Sequence, residues 1–492
     1  MRDAGRQTAL TRRSVLGGLA GGAAGLVAGP GSASAHEVDF VIVGAGAAGI
    51  GAALTLAKAN KSFVILEAAN RGGGRAFTDP KTFGVPFDVG CAWIHAHDLS
   101  GNSMWEVVQA WQKKHEWSSD TYDQGAWDIH DFDELHFTDV FYGCAAEARL
   151  GPQELEKLEP AEEELAKAIK QAGSDIAADR AVHNWRPYAD VAATSMGPMD
   201  AAVDLHSLST FESKATGEYS HNVLIKNGYG TVIRLLAEGL PQHSLRTNAR
   251  VTDIITSRSG ASVVVKSGGA IRAKAVIVTV STGVLAEDAI RFTPSLEADH
   301  QQAIHDLPMG LLVKIPLWVP GIGQELKGNK IGSFGNVLDQ RPDQSSVYFL
   351  ACPFDTDLVV GFLGGDFAWE FARRVPKTRQ GSKPPEDAVK RVTDEVAAFA
   401  QERLADLLGC GRSTKATKYM FTDWGWNPLT YGAYSAAKPG HYAAREKLRQ
   451  PAHERIFFAG EAVAEGGWHA TCHGAFDSGV KTAENVMAVF KR

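Results

Sequence analysis

The feature that most constrains the fold lies near the N-terminus, where about thirty residues form a predicted strand–turn–helix–strand unit. The apolar run Val38–Val43 predicts a buried strand. A glycine-rich turn over residues 44–49 follows it, then a predicted helix over 50–60 and a second predicted strand over 62–66. Units of this kind build parallel α/β sheets, so we predict an α/β protein.

The glycine-rich turn predicts a dinucleotide site. Gly44 permits a tight turn, Gly46 lets a pyrophosphate approach the backbone, and Gly49 permits close packing of the helix on the strand. The helix N-terminus offers N–H groups and partial positive charge to phosphates. Glu67, at the end of the second strand, is placed to accept hydrogen bonds from ribose hydroxyls. The alternative is a glycine-rich loop without a ligand.

The next motif indicates that the dinucleotide is FAD rather than NAD. It reads Arg71-Gly72-Gly73-Gly74-Arg75, a loop in which backbone and guanidinium groups can clamp a pyrophosphate. We therefore predict that Arg71, Gly74 and Arg75 bind the cofactor. Together, the two glycine motifs resemble those of the flavin amine oxidase family, which includes monoamine and polyamine oxidases and binds FAD.

The resemblance extends from about Asp39 to Val486 and is weakest over 115–220. It rests on further segments, namely Asp88–His95, Asn227–Gly230, Ala249–Val251, Leu307–Gly310, Gly432–Ser435, Phe458–Glu461 and His473–Gly479. It implies cofactor contacts from Gly90, Trp93, Val251, Gly460, Glu461 and Thr471. Some relatives attach FAD through a Cys at the position of Ala433, so the resemblance implies non-covalent FAD here.

The same resemblance implies the reaction. In this family a hydride passes from the carbon beside a neutral amine nitrogen to N5 of the flavin. The imine is then hydrolysed to an aldehyde and an amine, and O₂ is reduced to H₂O₂.

Lys314 is the main catalytic candidate. It lies within the apolar strand predicted over 310–319, where burial lowers the pKa of a lysine. The family's lysine at this position holds a water against flavin N5 and assists reoxidation of the flavin. The alternative is a lysine that faces solvent from an edge strand.

Tyr434 matches one wall of the aromatic cage that orients the amine. In monoamine oxidases the opposite wall is a second Tyr, but Thr471 stands at that position here. The resemblance is therefore closest to the polyamine oxidase branch. Trp424 and Trp468 are candidates for the missing wall, with packing in the core as their alternative.

His95 belongs to a Trp-Ile-His segment that resembles animal polyamine oxidases, in which the histidine lies in the active-site tunnel. A neutral histidine can bind a substrate nitrogen or relay a proton. The alternative is a histidine that only packs on the flavin. His473 adjoins the same site and is predicted to contact substrate or flavin. A polyamine also requires carboxylates along the tunnel, for which the candidates by position alone are Asp98, Glu212 and Glu218.

Strand-rich nucleotide-binding segments occur at the start, in the middle and at the end of the chain. We therefore predict a discontinuous FAD-binding Rossmann-type domain built from residues 36–115, 222–300 and 410–492. A second, mixed α+β substrate-binding domain is predicted over 116–221 and 301–409.

Residues 1–35 resemble a twin-arginine export signal. Arg12-Arg13 precedes an apolar stretch rich in Gly and Ala, and a small-x-small pattern ends at Ala35. A transmembrane helix is the alternative, but the run is too short and too rich in Gly to cross a bilayer core of about 30 Å. We therefore predict export to the periplasm or beyond, without a stable membrane anchor.

Charge and cysteine usage exclude other classes. Residues 1–35 hold four Arg and one Asp, and without them the net charge changes from −7 to about −10. This balance argues against a nucleic-acid partner and suits a cationic substrate, although such a charge is also ordinary for a soluble protein. The five Cys include no CxxC pair, so we predict no metal site and few or no disulfides.

Two other functions stay open. One is a flavin dehydrogenase for an amine, an alkaloid or an amino acid, which passes electrons to a carrier protein instead of O₂. The other is a non-catalytic FAD-binding protein, because fold alone does not establish function.

Overall fold

The computed structural model describes residues 37–96, 102–115, 158–182, 193–216, 221–324, 336–339, 347–378, 383–408 and 415–491. The strands are β1 Val38–Val43, β2 Phe63–Leu66, β3 Thr78–Asp79, β4 Phe87–Asp88, β5 Trp93–Ala96, β6 His221–Leu224, β7 Leu245–Arg246, β8 Val251–Ser257, β9 Gly260–Val265, β10 Ala270–Val278, β11 Arg291–Thr293, β12 Met309–Gly310, β13 Leu312–Trp318, β14 Asn336–Asp339, β15 Val347–Ala351, β16 Leu358–Gly364, β17 Lys418–Tyr419, β18 Tyr434–Ser435 and β19 Ile456–Phe458.

The helices are α1 Ala47–Lys58, α2 Ser103–His115, α3 Leu158–Gln171, α4 Thr210–Ala215, α5 Tyr229–Glu238, α6 Thr282–Ala286, α7 Ala298–Asp306, α8 Gly365–Ala372, α9 Glu386–Leu408, α10 Ala444–Arg449 and α11 Cys472–Val489. A π-helical turn spans Ser195–Met199. In the part of the chain that the structure describes, no helix combines the length and apolarity that crossing a membrane requires.

The first sheet has a parallel core in the order β19-β10-β1-β2-β7. The segments β2 and β19 and the second half of β10 are wholly apolar because both faces of the sheet are covered there. Phe40 and Ile42 of β1 pack in the cluster that includes residues of α1 and α11, whereas Val41 and Val43 pack into the core on the other face. The predicted α/β, Rossmann-type fold is confirmed.

β1 is the point at which the strand order reverses, because the chain continues to β2 on one side and later adds β10 on the other. Ligands of open α/β sheets bind outside the carboxyl ends of the strands at such a point. These strand ends bring Gly44, Glu67, Thr279 and Ala459 to one edge of the sheet.

Two boundaries differ from the sequence prediction. α1 begins at Ala47 instead of residue 50, because Gly46 caps the helix and its carbonyl already accepts the first bond from the Ile50 N–H. The apolar segment Ala275–Val280 predicts a further strand, which the structure shows as β10; this strand begins earlier, at Ala270, because its first half pairs with β9 across a hairpin turn.

The second sheet is antiparallel, in the order β14-β15-β16-β13-β17. Val313 and Ile315 of β13 pack on one face, in a core that also contains residues of α8 and α9. Lys314 lies on the opposite face, directly across from Phe362 of β16, which in turn pairs with Tyr348 of β15. Strands β15 and β16 were not predicted from the sequence.

By its contacts, the chain from residue 36 onward is one compact unit. The division into an FAD-binding and a substrate-binding domain stays a prediction.

Candidate active site

A cavity of about 1180 Å³ extends from the carboxyl edge of the first sheet to the second sheet. Its wall includes Gly44 and Glu67 at one end and Lys314, Tyr348 and Phe362 at the other. Pockets for one small ligand are usually about 300–1,000 Å³. The cavity therefore has room for an extended cofactor and a small substrate together.

Two glycines form an open cradle at the sheet end of the cavity. A Cβ on Gly46 or on Gly460 would meet no atom within 4 Å, so both backbones are free to receive a ligand. Gly460 also has a φ of +141°, which favours glycine. Gly49 does not line the cavity; a Cβ there would stand 2.0 Å from the Gly44 carbonyl oxygen, which fits its predicted packing role.

Glu67 lies buried beside this cradle. Its Oε2 accepts from the Ala45 N–H at 2.7 Å, and its Oε1 accepts from the Ala69 N–H at 2.7 Å. Burial raises the pKa of Glu67, opposed by these N–H groups and by the nearby Arg71. A carboxylate has about four acceptor positions, so capacity remains for ribose hydroxyls.

The second glycine loop packs against the first, since the Gly73 N–H donates to the Ala45 carbonyl at 2.7 Å. Arg71 donates to the carbonyls of Gly72 and Gly74 at 3.0 and 3.1 Å. The sequence predicted a pyrophosphate clamp, and the structure adds a second role: the guanidinium of Arg71 also stiffens its own loop.

Arg75 joins the N-terminal and C-terminal motifs. Its Nη1 donates to the Ala433 carbonyl at 2.7 Å and to Oε1 of Glu461 at 2.9 Å. Glu461 is buried and also accepts from the Ser435 hydroxyl at 2.7 Å. Burial alone raises the pKa of Glu461, but Arg75 and Arg445 reverse this effect, so the pKa lies below its ordinary value.

Glu212, proposed from its position as a tunnel carboxylate, lines the cavity but is already paired. Both of its oxygens accept from the buried guanidinium of Arg445, and His469 Nε2 lies 3.3 Å from its Oε1. Arg445 is a site residue that sequence reasoning missed, because the charged segment around it resembles a surface helix. The other two carboxylates, Asp98 and Glu218, lie outside the described residues.

Lys314 is buried in the cavity wall, as the sequence predicted. Its Nζ donates to the carbonyls of Asp88 at 2.7 Å and Gly90 at 2.6 Å. Burial lowers the pKa of Lys314 to about 8, opposed by the charge of Asp88. An ammonium has three donors, so these two bonds leave one N–H for a ligand or a water.

Asp88 joins two of the sequence motifs, Asp88–His95 and Asn227–Gly230, next to Lys314. Its carboxylate accepts from the backbone N–H groups of Tyr229 at 2.8 Å and Gly230 at 3.1 Å, and from the Thr78 hydroxyl at 2.6 Å. These bonds fix the segment whose carbonyls hold the lysine.

Tyr434 also lines the cavity. Its strand β18 pairs with β12, and its hydroxyl donates to the Asp200 carbonyl at 3.0 Å. Of the two tryptophans proposed for the missing wall, Trp424 lines the cavity and donates from Nε1 to the Val89 carbonyl at 3.2 Å. Trp468 does not line the cavity and instead packs edge-on against His473, with ring centroids 4.5 Å apart.

His95 lines the cavity, whereas His473 is buried behind it. Burial lowers the pKa of His473 to about 3, with a smaller effect of His95, so its ring is neutral. Neither ring nitrogen of His473 has a partner within the described residues. The other residues predicted to contact the cofactor that line the cavity are Gly74, Gly90, Trp93, Val251 and Thr471.

Asp200 was not predicted, and it is the most informative acidic residue of the cavity. It follows the π-helical turn and lines the cavity, to which it is exposed. Burial raises its pKa to about 6. Its carboxylate has no ion pair or hydrogen bond in the part of the chain that the structure describes. The same residues contain no cluster of His, Cys, Asp or Glu that could hold a metal.

A parallel sheet with a glycine cradle at its switch point, opening into a cavity with a buried lysine, defines the class as dinucleotide-binding α/β proteins. Sequence comparison then gives the family. Residues 47–487 match the family described as "Flavin containing amine oxidoreductase", and the chain belongs to it. The predictions of the family, of FAD and of an amine-oxidising enzyme are confirmed.

Similar proteins agree with this assignment. Polyamine oxidase 3 of Oryza sativa subsp. japonica is 29% identical over 484 residues, covering 93% of this chain and 91% of the relative. Polyamine oxidase 4 of the same plant is 27% identical over 480 residues, covering 92% and 88%. These relatives support the predicted position near the polyamine oxidase branch.

Two solved structures share the fold. Putrescine oxidase bound to putrescine has a TM-score of 0.64 at 19% identity, covering 92% of this chain and 99% of that one. Cyclohexylamine oxidase from Brevibacterium oxydans IH-35A has a TM-score of 0.66 at 18% identity, covering 92% and 100%.

Proposed function

We propose that this enzyme oxidises a polyamine or a related secondary amine with O₂ as the electron acceptor, producing an aldehyde, a smaller amine and H₂O₂. The observation that carries the substrate proposal is the unpaired carboxylate of Asp200 in the cavity wall. FAD, when bound, accepts the hydride from the carbon beside the reacting nitrogen.

The cradle residues fit FAD. Gly46 and Gly460 leave open backbone where phosphates would lie, and Glu67 retains acceptor capacity for a ribose. Arg75 and Glu461 neutralise each other, so this ion pair adds no net charge beside the cofactor.

Asp200 favours a substrate that carries a second, charged nitrogen. A carboxylate in the cavity wall that no protein cation neutralises attracts an ammonium group, and the attraction strengthens when the bound substrate displaces water from the pair. A monoamine, whose single nitrogen must be neutral to react, cannot do this. Asp200 and Tyr348 both line the cavity; burial raises the pKa of Tyr348 and the charge of Asp200 raises it further, so Asp200 lies near strand β15.

The geometry of the second sheet gives the distance between the backbones of Lys314 and Tyr348, the residue near Asp200. Lys314 and Tyr348 lie on alternate strands, β13 and β15, with Phe362 of β16 between them. Strands are about 4.8 Å apart, so the two backbones are separated by roughly 10 Å. A long, flexible diamine or polyamine can place its reacting nitrogen near Lys314 and a charged nitrogen near Asp200.

The remaining residues have roles that follow from their contacts. Tyr434 presents an aromatic surface that orients the amine, and its hydroxyl bond fixes the backbone of Asp200. With FAD bound, the third N–H of Lys314 would hold a water in the cavity and would assist reoxidation of the flavin. His95 contacts the substrate nitrogen or relays a proton.

The test is an anaerobic titration of the purified holoenzyme with a panel of mono-, di- and polyamines, followed at the visible band of the flavin. Bleaching by spermidine or spermine, then rapid recovery in air with release of H₂O₂, is the expected result. Bleaching by monoamines alone would refute the polyamine substrate. Recovery only with an added electron carrier would replace O₂ as acceptor and favour a dehydrogenase.

We also propose that the protein is exported. The support is the twin-arginine pattern of residues 1–35, which lie outside the described residues. Replacing Arg12 and Arg13 by Lys is expected to retain the flavoprotein in the cytoplasm, measured by fractionation of a bacterial host. Unchanged release of the variant would refute this route.

A further inference from the structure

Two cysteines face each other at the wall of the cavity and have no part in the proposed reaction. Cys91 directly follows the cavity residue Gly90, and Cys472 is the first residue of α11. Both line the cavity and both pack against the same apolar cluster. Both are free thiols, and they are close enough to interact through a hydrogen bond.

The surroundings keep Cys91 protonated. Hydrogen bonding with Cys472 raises the pKa of the Cys91 thiol, and burial raises it further. Tyr229 adjoins the two thiols, and its side chain is fully buried. Burial and the two thiols raise the pKa of Tyr229 as well. The three groups form a small apolar compartment that adjoins the site of oxidation.

We propose that Cys91 and Cys472 are an oxidisable pair, which hydrogen peroxide converts to an intramolecular disulfide. Peroxide is the reaction product in the function proposed above, and the pair lies in the wall of the cavity where it would form. Nothing in the amine chemistry requires these thiols, so this is a separate property of the site.

The chemistry assigns a different role to each cysteine. Cys472 is the attacking thiol, because the raised pKa of Cys91 leaves that residue little thiolate with which to attack. Its sulfur attacks one peroxide oxygen, the O–O bond breaks, and the departing hydroxide takes a proton to become water. The Cys91 sulfur then displaces the second oxygen from the sulfenic acid of Cys472 as water. Two thiols thus lose two electrons and two protons, and one peroxide becomes two waters.

Oxidation of the two cysteines is expected to change the position of Lys314 through the backbone of residues 90 and 91. The Gly90 carbonyl, adjacent to Cys91, accepts from Lys314 Nζ at 2.6 Å. A disulfide requires a sulfur–sulfur distance of about 2.05 Å, which is shorter than any thiol–thiol contact. The approach of the two sulfurs therefore moves the segment that holds the lysine, and turnover is expected to fall until a reductant restores the thiols.

The test treats the purified holoenzyme with H₂O₂ in the absence of amine, blocks the remaining thiols and maps the peptides by mass spectrometry. The expected product is one linked peptide pair, Cys91 with Cys472, about 2 mass units lighter than the two reduced peptides, and reversible with dithiothreitol. Cys352→Ser is the matched control, because Cys352 is buried away from the cavity wall and its loss should not change the linkage.

Single variants test the order of the steps. In Cys91→Ser, the sulfenic acid of Cys472 is expected to persist and to be trapped by dimedone, whereas Cys472→Ser should give no trapped product at Cys91. If both cysteines of the wild-type enzyme are recovered unlinked after peroxide treatment, the proposal is wrong. Because peroxide is added directly, this result does not depend on which amine the enzyme oxidises.

Discussion

Asp200→Asn is the substitution that most directly tests the substrate proposal. Asn has nearly the same shape as Asp, and the backbone carbonyl that accepts from Tyr434 is unchanged, so the cavity wall should stay intact. The change removes one negative charge from a site where the described residues supply no cation. A charged second nitrogen of the substrate would lose its counter-ion.

The expected loss follows from the position of the charge. Two unit charges about 4 Å apart attract with about 4 kcal/mol at an effective dielectric constant of about 20. Removing one partner of a close, desolvated charge pair generally costs about 2–5 kcal/mol. Taking about 3 kcal/mol, kcat/KM for spermidine should fall roughly 100-fold, mainly through KM. The value for a monoamine of similar bulk should change little.

The pH dependence gives a sharper measurement. With a pKa of about 6, Asp200 is charged above this value and neutral below it. The ratio of wild-type to variant kcat/KM cancels the deprotonation of the amine, which is common to both enzymes. That ratio should fall from roughly 90 near pH 7 to roughly 10 near pH 5.

The assay is oxygen consumption with spermidine and with a monoamine, at several pH values, for the wild type, Asp200→Asn and the control Asp366→Asn. Asp366 is exposed and does not line the cavity. Equal losses for the two substrates, or a ratio that does not depend on pH, would refute recognition by Asp200. A folding defect would be visible as reduced flavin content.

Three further predictions concern the cofactor, the lysine and a buried histidine. Gly46→Val should abolish FAD binding without lowering the Tm of the apoprotein, because its side chain would enter the open cradle; Gly173→Ala, also without close neighbours, is the control, and normal flavin absorbance in the valine variant would contradict the assignment. Lys314→Met should slow reoxidation of the reduced flavin by O₂ in stopped-flow experiments, and an unchanged rate would eliminate the proposed role. His473 has a pKa of about 3 in the folded protein against 6.5 ordinarily, so the unfolded state binds more protons between these values and stability falls as pH decreases through this range. At about pH 5 the loss is about 2 kcal/mol, and His473→Leu should therefore show a smaller drop in Tm between about pH 7 and pH 5 than the wild type.

The cofactor end of the cavity was predictable because its chemistry is encoded locally. The turn from Gly44 to Gly49 and the acid at Glu67 belong to one short strand–turn–helix–strand unit. The glycines are required by the turn and by close approach of the backbone, and the acid by the ribose. Lys314 was found through the resemblance to the family, because a lysine in an apolar strand is by itself equally compatible with an edge strand that faces solvent. The match to the family supplied the rest of the cofactor residues.

The substrate end was less predictable because distant segments build it. Asp200 follows a π-helical turn and faces a tyrosine from β15, a strand that the sequence did not reveal. Glu212 is a candidate tunnel carboxylate by its position in the sequence. In the structure, Arg445, more than two hundred residues away in the chain, neutralises it. One-dimensional spacing carries no information on which acidic residue keeps a partner and which does not.

This contrast has a physical origin in what each end of the cavity must do. A phosphate cradle needs open backbone and a helix terminus, which glycine spacing can specify by itself. Substrate recognition needs a charge that stays unpaired, and this is a property of everything around the carboxylate. Arg445 neutralises the charge of Glu212, and together with Arg75 it lowers the pKa of Glu461. Among the described residues, no cation lies close enough to Asp200 to do the same. The arrangement of positive charge around the cavity therefore determines the acidic position left for the substrate.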